Sequence, residues 1–413
     1  MAAAGLTSVT ACSTQADVAD GAATSADVAQ ARTGAGGAAS GTSADGTPVA
    51  GKVCVPGPGT AYRPFRGEHQ AGVDDEPQPY VAFVAFTLPD GTDKEALRRL
   101  MTVWTDDIER LMSGRGTLTD QEPELAAVTA RLTVTLGIGP RVPALAGVQV
   151  QAWLAPLPAF PSIDRLDDRW GQGDVLLQIC ADSPTTVAHA QRRLITSAGE
   201  LVTVQWIQRG FREPFSGIPS GVPMRNLFGQ VDGTVQPDAR GVDASLIWAG
   251  NEAPDWMRGG SSLVLRRIAM DLEKWDRADR LSRENAIGRR LDSGAPLTGT
   301  DLNDTPDLDA VDALGFHRID EAAHVRRAHG SGVERFLRRP YSYDDPPESG
   351  ARVNSGLLFA AYCTDPVRQF IPVQRRLAEK DLLNLWTTPI GSAVFAILPG
   401  AGDGEILGQR LLA

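Results

Sequence analysis

Past residue 60 the chain alternates between short apolar runs and stretches with helical spacing. Residues 81–88 (VAFVAFTL) are apolar, β-branched and aromatic, the pattern of a strand buried on both faces. Residues 92–112 then place Leu97, Leu100, Val103, Ile108 and Leu111 on one helical face. Strands are predicted at 131–138, 174–181 and 201–209, with a second helix at 185–198.

One helix after the first strand and another after the third is the order of a split β-α-β, ferredoxin-like unit. The grammar returns later, with strands at 262–270, 356–362 and 393–398, a helix at 275–287, and a mostly helical stretch at 366–383. The expected fold is therefore α+β, two ferredoxin-like halves with a seam near 215–230. The expected division is a tail at 1–60, an N-terminal half at 61–225 and a C-terminal half at 226–413. Between the later helix and strand lies a long polar stretch, 291–323, rich in Asp, Gly and Pro. Connections that long are usually functional when ordered.

Composition narrows the function classes. The 413 residues carry a net charge of −11, which argues against nucleic acid as a partner. The four cysteines, Cys12, Cys54, Cys180 and Cys363, form no C-x-x-C pair, so a zinc ribbon is excluded; Cys180 and Cys363 sit in apolar runs and read as buried thiols. No apolar run approaches the roughly 18 residues of a membrane-spanning helix. Residues 1–60 contain no aromatic side chain and are dominated by Ala, Gly, Ser, Thr and Asp, the composition of a flexible tail. Val9-Thr10-Ala11-Cys12 resembles a bacterial lipoprotein cleavage box, although no charged n-region precedes it. The expected location is outside the cytoplasm of a bacterium, exported or at the cell surface.

Three clusters carry candidate chemistry. In Gly229-Gln230-Val231-Asp232-Gly233 two glycines bracket one carboxylate; alone this reads as a turn. In His324-Val-Arg326-Arg327 an imidazole is flanked by arginines, which suits an iron ligand beside carboxylate-pairing cations but equally a surface histidine. In Arg338-Arg339-Pro340-Tyr341-Ser342-Tyr343 paired arginines precede an aromatic turn, ordinarily a solvated edge unless an anion lies nearby.

Together with Phe65-Arg-Gly-Glu-His69-Gln-Ala-Gly72, Leu132-Thr-Val-Thr-Leu-Gly137, Gly173-Asp-Val-Leu-Leu-Gln178, Ile287-Gly-Arg289, Gly356-Leu-Leu-Phe359 and Gly391-Ser-Ala-Val-Phe395, these clusters resemble the dye-decolourising peroxidase family, in its exported bacterial branch. The resemblance spans roughly residues 64–399. It implies two ferredoxin-like halves packed as a dimeric α/β-barrel type fold, with haem b held in the second half. By the same matching, His324 is the proximal iron ligand, Asp232 the distal acid–base and Arg338 the distal arginine. Arg339 is its rival for that place; otherwise it pairs outward with Asp344 or Asp345. The expected cofactor contacts are His324, Arg326, Arg289, Gln230 and Arg339, with Arg289 reaching a propionate. Asp381 or Asn384 is expected to hold the other imidazole nitrogen of His324, and His69 to order the opening loop.

The function so implied is a haem-dependent peroxidase that reduces hydrogen peroxide and oxidises dye-like, phenolic or other one-electron donors. The alternative is a haem-binding, deferrochelatase-type protein associated with an iron-uptake system. A haem-free structural α+β protein is the third reading, which a Soret band would dismiss. Trp256, Trp275, Trp386, Tyr341 and Tyr343 are candidates for carrying an electron to the surface.

Overall fold

The computed structural model describes residues 61–213, 223–348, 350 and 352–413. The expected tail at 1–60 lies outside the described residues, as does the stretch 214–222 of the expected seam. The first series of elements is β1 (Tyr80–Thr87), α1 (Lys94–Met112), β2 (Thr133–Ile138), α2 (Arg141–Ala146), β3 (Val175–Ala181), α3 (Pro184–Ala198) and β4 (Thr203–Phe211). The second is α4 (Ala244–Ile247), β5 (Ser261–Met270), α5 (Leu272–Arg277), α6 (Arg280–Ile287), α7 (His324–Ala328), β6 (Leu337–Arg338), β7 (Tyr341–Asp345), β8 (Asn354–Cys363), α8 (Pro366–Lys380) and β9 (Thr387–Ile397).

The strands run β2-β3-β1-β4 in the first series and β9-β5-β8-β7 in the second, each pair antiparallel. β2 meets β9 through Gly137–Ile397 and Ile138–Ala396, and β4 meets β7 through Phe211–Ser342. These two seams close the sheet into an antiparallel barrel, which removes the exposed edges an open sheet would leave. The short β6 lies beside β7 along the same margin of β8.

Closure explains why the strands lack clean polar alternation. Along β1, Val81, Phe83 and Ala85 face the barrel interior with Leu265, Tyr341, Leu358 and Phe395, while Ala82, Val84 and Phe86 pack outward beneath α1 and α3. Both faces are buried, so every position can be apolar. Leu97, Leu100, Trp104 and Ile108 of α1 cover that outer face, each such side chain contributing about 1.5–3 kcal/mol on burial. Asp93 caps α1 by accepting from the Ala96 N–H, and Ser183 caps α3 through the Thr186 N–H.

Several elements depart from their expected bounds. The helix expected at 275–287 is two helices, because Ala278 is extended and Asp279 caps a fresh start at α6 by accepting from Ser282 N–H. The helix expected to reach 383 stops at Lys380. β9 begins at Thr387 rather than near 393, since pairing with β5 supplies what its polar start lacks. The polar stretch 291–323 has no helix or strand; it is held by isolated bridges and by Arg326, which donates to the carbonyls of Leu308 and Ile319. Cys180 and Cys363 are buried free thiols, as expected. No helix among the described residues is long and apolar enough to cross a membrane.

Candidate active site

His324 opens α7, and tertiary contacts aim it. Arg327 on α7 donates to the Arg376 carbonyl at 3.0 Å and to Glu379 Oε2 at 2.9 Å, docking α7 on α8. The Leu382 N–H donates to the Ala322 carbonyl at 2.9 Å, drawing the turn after α8 against the start of α7. That turn carries Asp381, whose Oδ2 accepts from His324 Nδ1 at 2.6 Å while its Oδ1 accepts from the Leu383 N–H at 2.9 Å. Of the two expected partners, therefore, Asp381 holds the imidazole; Asn384 instead donates to the Leu377 carbonyl. Burial works against a charge on His324, but the adjacent Asp381 carboxylate outweighs it and raises the imidazole above its ordinary range. Gly288 has φ of +85°, and a Cβ there would meet Val325 Cγ1 at 2.4 Å, so only glycine lets the end of α6 come this close to α7.

The loop before β5 builds the second group. Gly229 and Gly233 have φ of +74° and +95°, a region open to glycine, and they let the chain fold back around Gln230–Asp232. Asn226 Oδ1 accepts from the Phe228 and Gln230 N–H groups, and Asp232 N–H donates to the Met224 carbonyl at 2.8 Å. Asp232 Oδ1 then lies 3.4 Å from Arg338 Nη1. Arg338 Nη2 donates to the Val235 carbonyl at 2.9 Å. Its backbone is clasped by Gln236, whose Oε1 accepts from Arg338 N–H at 2.9 Å and whose Nε2 donates to Arg338 C=O at 2.8 Å. Asp232 and Arg338 are close enough to His324 for both charges to act on its imidazole, the first favouring and the second opposing protonation.

Arg338 and Arg339 point to opposite sides of their extended segment. The expectation that Arg339 pairs outward with Asp344 or Asp345 is corrected. Arg339 is 1% exposed and lies with the interior side chains of the barrel, donating to the Asp75 carbonyl at 2.5 Å and to Gln78 Oε1. Its Nη1 and Nη2 are engaged inside the barrel, and its Nε has no hydrogen-bond partner among the described residues. Asp345 instead pairs with Arg267 at 2.7 Å, and Asp344 accepts from Ser355.

The remaining expected residues separate in the same way. Arg289 is 8% exposed, donates to the Gly294 carbonyl at 2.7 Å, and has no carboxylate within ion-pair distance among the described residues. Burial and the nearby Arg338 charge both lower its pKa. Arg326 is half-buried and braces the long loop. Gln230 is buried, and its Nε2 has no hydrogen-bond partner among the described residues. His69 ties the opening loop to the Gly259 carbonyl at 2.7 Å and stacks on Trp248. Trp256, Trp275, Trp386, Tyr341 and Tyr343 are all buried, at most 9% exposed.

These features suit a haem. The Nε2 of His324 makes no hydrogen bond among the described residues and is free to ligate iron, while Asp381 fixes the ring from behind. Among the described residues, Arg289 is a buried cation lacking the anion that burial normally requires, and Gln230 offers an unpaired donor. Among the described residues one other group of ligand-type side chains lies together, Asp120, Glu122 and His189. Arg192 already pairs with Glu122, and Arg193 lies 3.8 Å from Asp120, so its carboxylates are neutralised.

Gln236 was invisible to sequence reasoning, since a glutamine in a loop follows no pattern. The acceptors of Arg339, at Asp75 and Gln78, were equally so.

Residues 70–212 match the Dyp-type peroxidase N-terminal family model, and residues 223–402 the C-terminal one. The chain is 37% identical over 364 residues to the dye-decolorizing peroxidase of Thermobifida fusca, covering 83% of each. It is 33% identical over 374 residues to a deferrochelatase of Escherichia coli, covering 85% of this chain and 87% of that one. The crystal structure of a DyP-type peroxidase from Cellulomonas bogoriensis superposes with a TM-score of 0.84 at 51% identity, covering 86% of this chain and 99% of that one. A closed antiparallel barrel, a carboxylate-held histidine, an Asp–Arg pair and matches over most of the length converge on one conclusion: this chain belongs to the dye-decolourising, DyP-type family of haem peroxidases.

Proposed function

We propose that this haem peroxidase works through His324, Asp232 and Arg338, with haem b held against the second series of elements. The carrying observation is that a histidine with one nitrogen tied to a buried carboxylate shares its surroundings with the Asp232–Arg338 pair. Haem iron, when bound, supplies the position at which peroxide coordinates and the electrons that reduce it. His324 Nε2 ligates that iron, and Asp381 holds the imidazole in the required orientation and makes it a stronger donor. An Asp232 carboxylate oxygen takes the proton from one peroxide oxygen and returns it to the other, which leaves as water. Arg338 Nη1 stabilises the negative charge that develops as the O–O bond breaks. Arg289 pairs with a propionate, Gln230 Nε2 donates to the polar edge of the cofactor, and Arg326 adds positive charge while bracing the loop. Dye-like and phenolic donors then supply the electrons, one at a time.

The strand orders β2-β3-β1-β4 and β9-β5-β8-β7 support reading each half as ferredoxin-like, with halves at 61–225 and 226–413. The Val9–Cys12 box supports export.

A second reading, iron release from haem, is favoured by the likeness to the Escherichia coli deferrochelatase. One experiment separates the two: incubate the haem-loaded protein with peroxide and a phenolic dye. Many turnovers with the haem spectrum intact support the peroxidase; metal-free porphyrin in proportion to protein, with little dye bleached, supports iron release.

A further inference from the structure

We infer that Gln236 is a positioning residue for the peroxide reaction, acting by holding Arg338 in register with Asp232. This rests on the reading of Arg338 given above and deepens it.

The geometry is specific. A primary amide that donates to the carbonyl and accepts from the N–H of one residue mimics the edge of a neighbouring strand, and Gln236 does this to Arg338 at 2.8 and 2.9 Å. Arg338 needs such a partner because β6 is only Leu337–Arg338, paired with Tyr362 and Ala361 of β8. Pro340, two residues on, has no N–H with which to extend the ladder. The side chain is held by the same loop, through Val235 C=O on Nη2 and Asp232 Oδ1 on Nη1. Residues 232–236 therefore grip Arg338 at three places, its backbone, one guanidinium nitrogen and the other. Of these three, only the Gln236 contact acts on the backbone; it faces the loop, while on the other side β8 holds the segment through the Arg338–Ala361 pairing and the Arg339 N–H, which donates to the Ala360 carbonyl at 2.8 Å.

Removing that contact leaves the side chain attached to a two-residue strand held from the β8 side alone. Asp232 and Arg338 are separated by 3.4 Å, a distance at which small displacements decide whether a charge-assisted hydrogen bond forms. Misplacement of a reacting group by about 1 Å can cost on the order of 100-fold in rate. Gln236 itself need touch neither peroxide nor haem to produce such an effect.

The test uses the haem-loaded full chain carrying Gln236→Met, Arg338→Leu or both. Two quantities are measured for each: the rate of the reaction with peroxide by stopped-flow mixing, and the dissociation constant for fluoride added to the ferric protein. A bound anion reports the arginine's placement without any turnover. Gln236→Met is expected to slow the peroxide reaction by about 10- to 100-fold and to weaken fluoride binding. Both effects should vanish in the Arg338→Leu background, because a contact acting through Arg338 cannot be lost twice. Unchanged fluoride affinity in Gln236→Met, or an effect of equal size with and without Arg338, overturns the inference. Should Gln236→Met fail to fold or load haem, Gln236→Glu takes its place. It keeps an acceptor for the Arg338 N–H but, ionised, loses the donor to its carbonyl, and the same two criteria apply. If Arg338→Leu alone leaves both quantities at wild-type values, the reading of Arg338 fails instead, and the two failures are told apart.

Discussion

His324 Nδ1 donates to Asp381 Oδ2 across 57 residues of chain at 2.6 Å, and that carboxylate is simultaneously the cap of the turn that follows α8. One side chain thus shapes the local backbone and orients the imidazole.

His324→Ala should therefore abolish most haem binding, whereas Asp381→Asn, which can still cap the turn, should retain haem with affinity lowered about 10- to 100-fold. Titration of the metal-free protein with haem, followed at the Soret band, measures both. Full haem affinity in His324→Ala would move the ligand elsewhere.

Asp232→Asn removes the group that can cycle a proton while preserving its shape. The reaction with peroxide should slow by at least the roughly 10²-fold lower end expected for general acid–base catalysis. Haem content and the ferric spectrum should stay close to wild type. Stopped-flow mixing with peroxide is the measurement, and a wild-type rate would assign the proton transfer to another group.

The two adjacent arginines should separate cleanly. Arg338→Leu should slow the peroxide reaction about 10²–10³-fold, the loss typical of one preorganised charge-stabilising donor. Arg339→Leu should spare that rate but strand the Asp75 carbonyl and Gln78 Oε1 inside the barrel, each unpaired acceptor costing about 1–3 kcal/mol. Urea unfolding midpoints alongside stopped-flow rates decide it; a stable Arg339→Leu protein with a slow peroxide reaction would reverse the assignment.

Burial pushes the Cys363 thiol up to about 12 and raises Cys180 as well. A raised thiol pKa means that the reactive thiolate is scarce at neutral pH and grows only well above it. Iodoacetamide at pH 8 should leave both residues unmodified in the native protein and alkylate both after denaturation, as read by peptide mass mapping. Rapid native labelling of either would show that its strand opens.

The local pattern of the chain determined much of this protein. Apolar runs such as 81–88 and helical spacing such as Leu97, Leu100, Ile108 and Leu111 located most strands and helices, because burial on both faces or on one stripe leaves its period in the residues themselves. Motif order along the chain, from Phe65 to Phe395, also carried the family and with it the expectation of haem. Three things were decided only by tertiary structure. Among the described residues the barrel closes through three residue pairs between its halves, Gly137–Ile397, Ile138–Ala396 and Phe211–Ser342, and no pattern marks such contacts before the halves meet. The choice of Asp381 over Asn384 depended on the docking of α7 on α8, and the inward turn of Arg339 on acceptors at Asp75 and Gln78, over 260 residues away. Periodicity records which face of an element is buried; it does not record which polar atoms from remote segments arrive there, and it is those atoms that aim the side chains of the site.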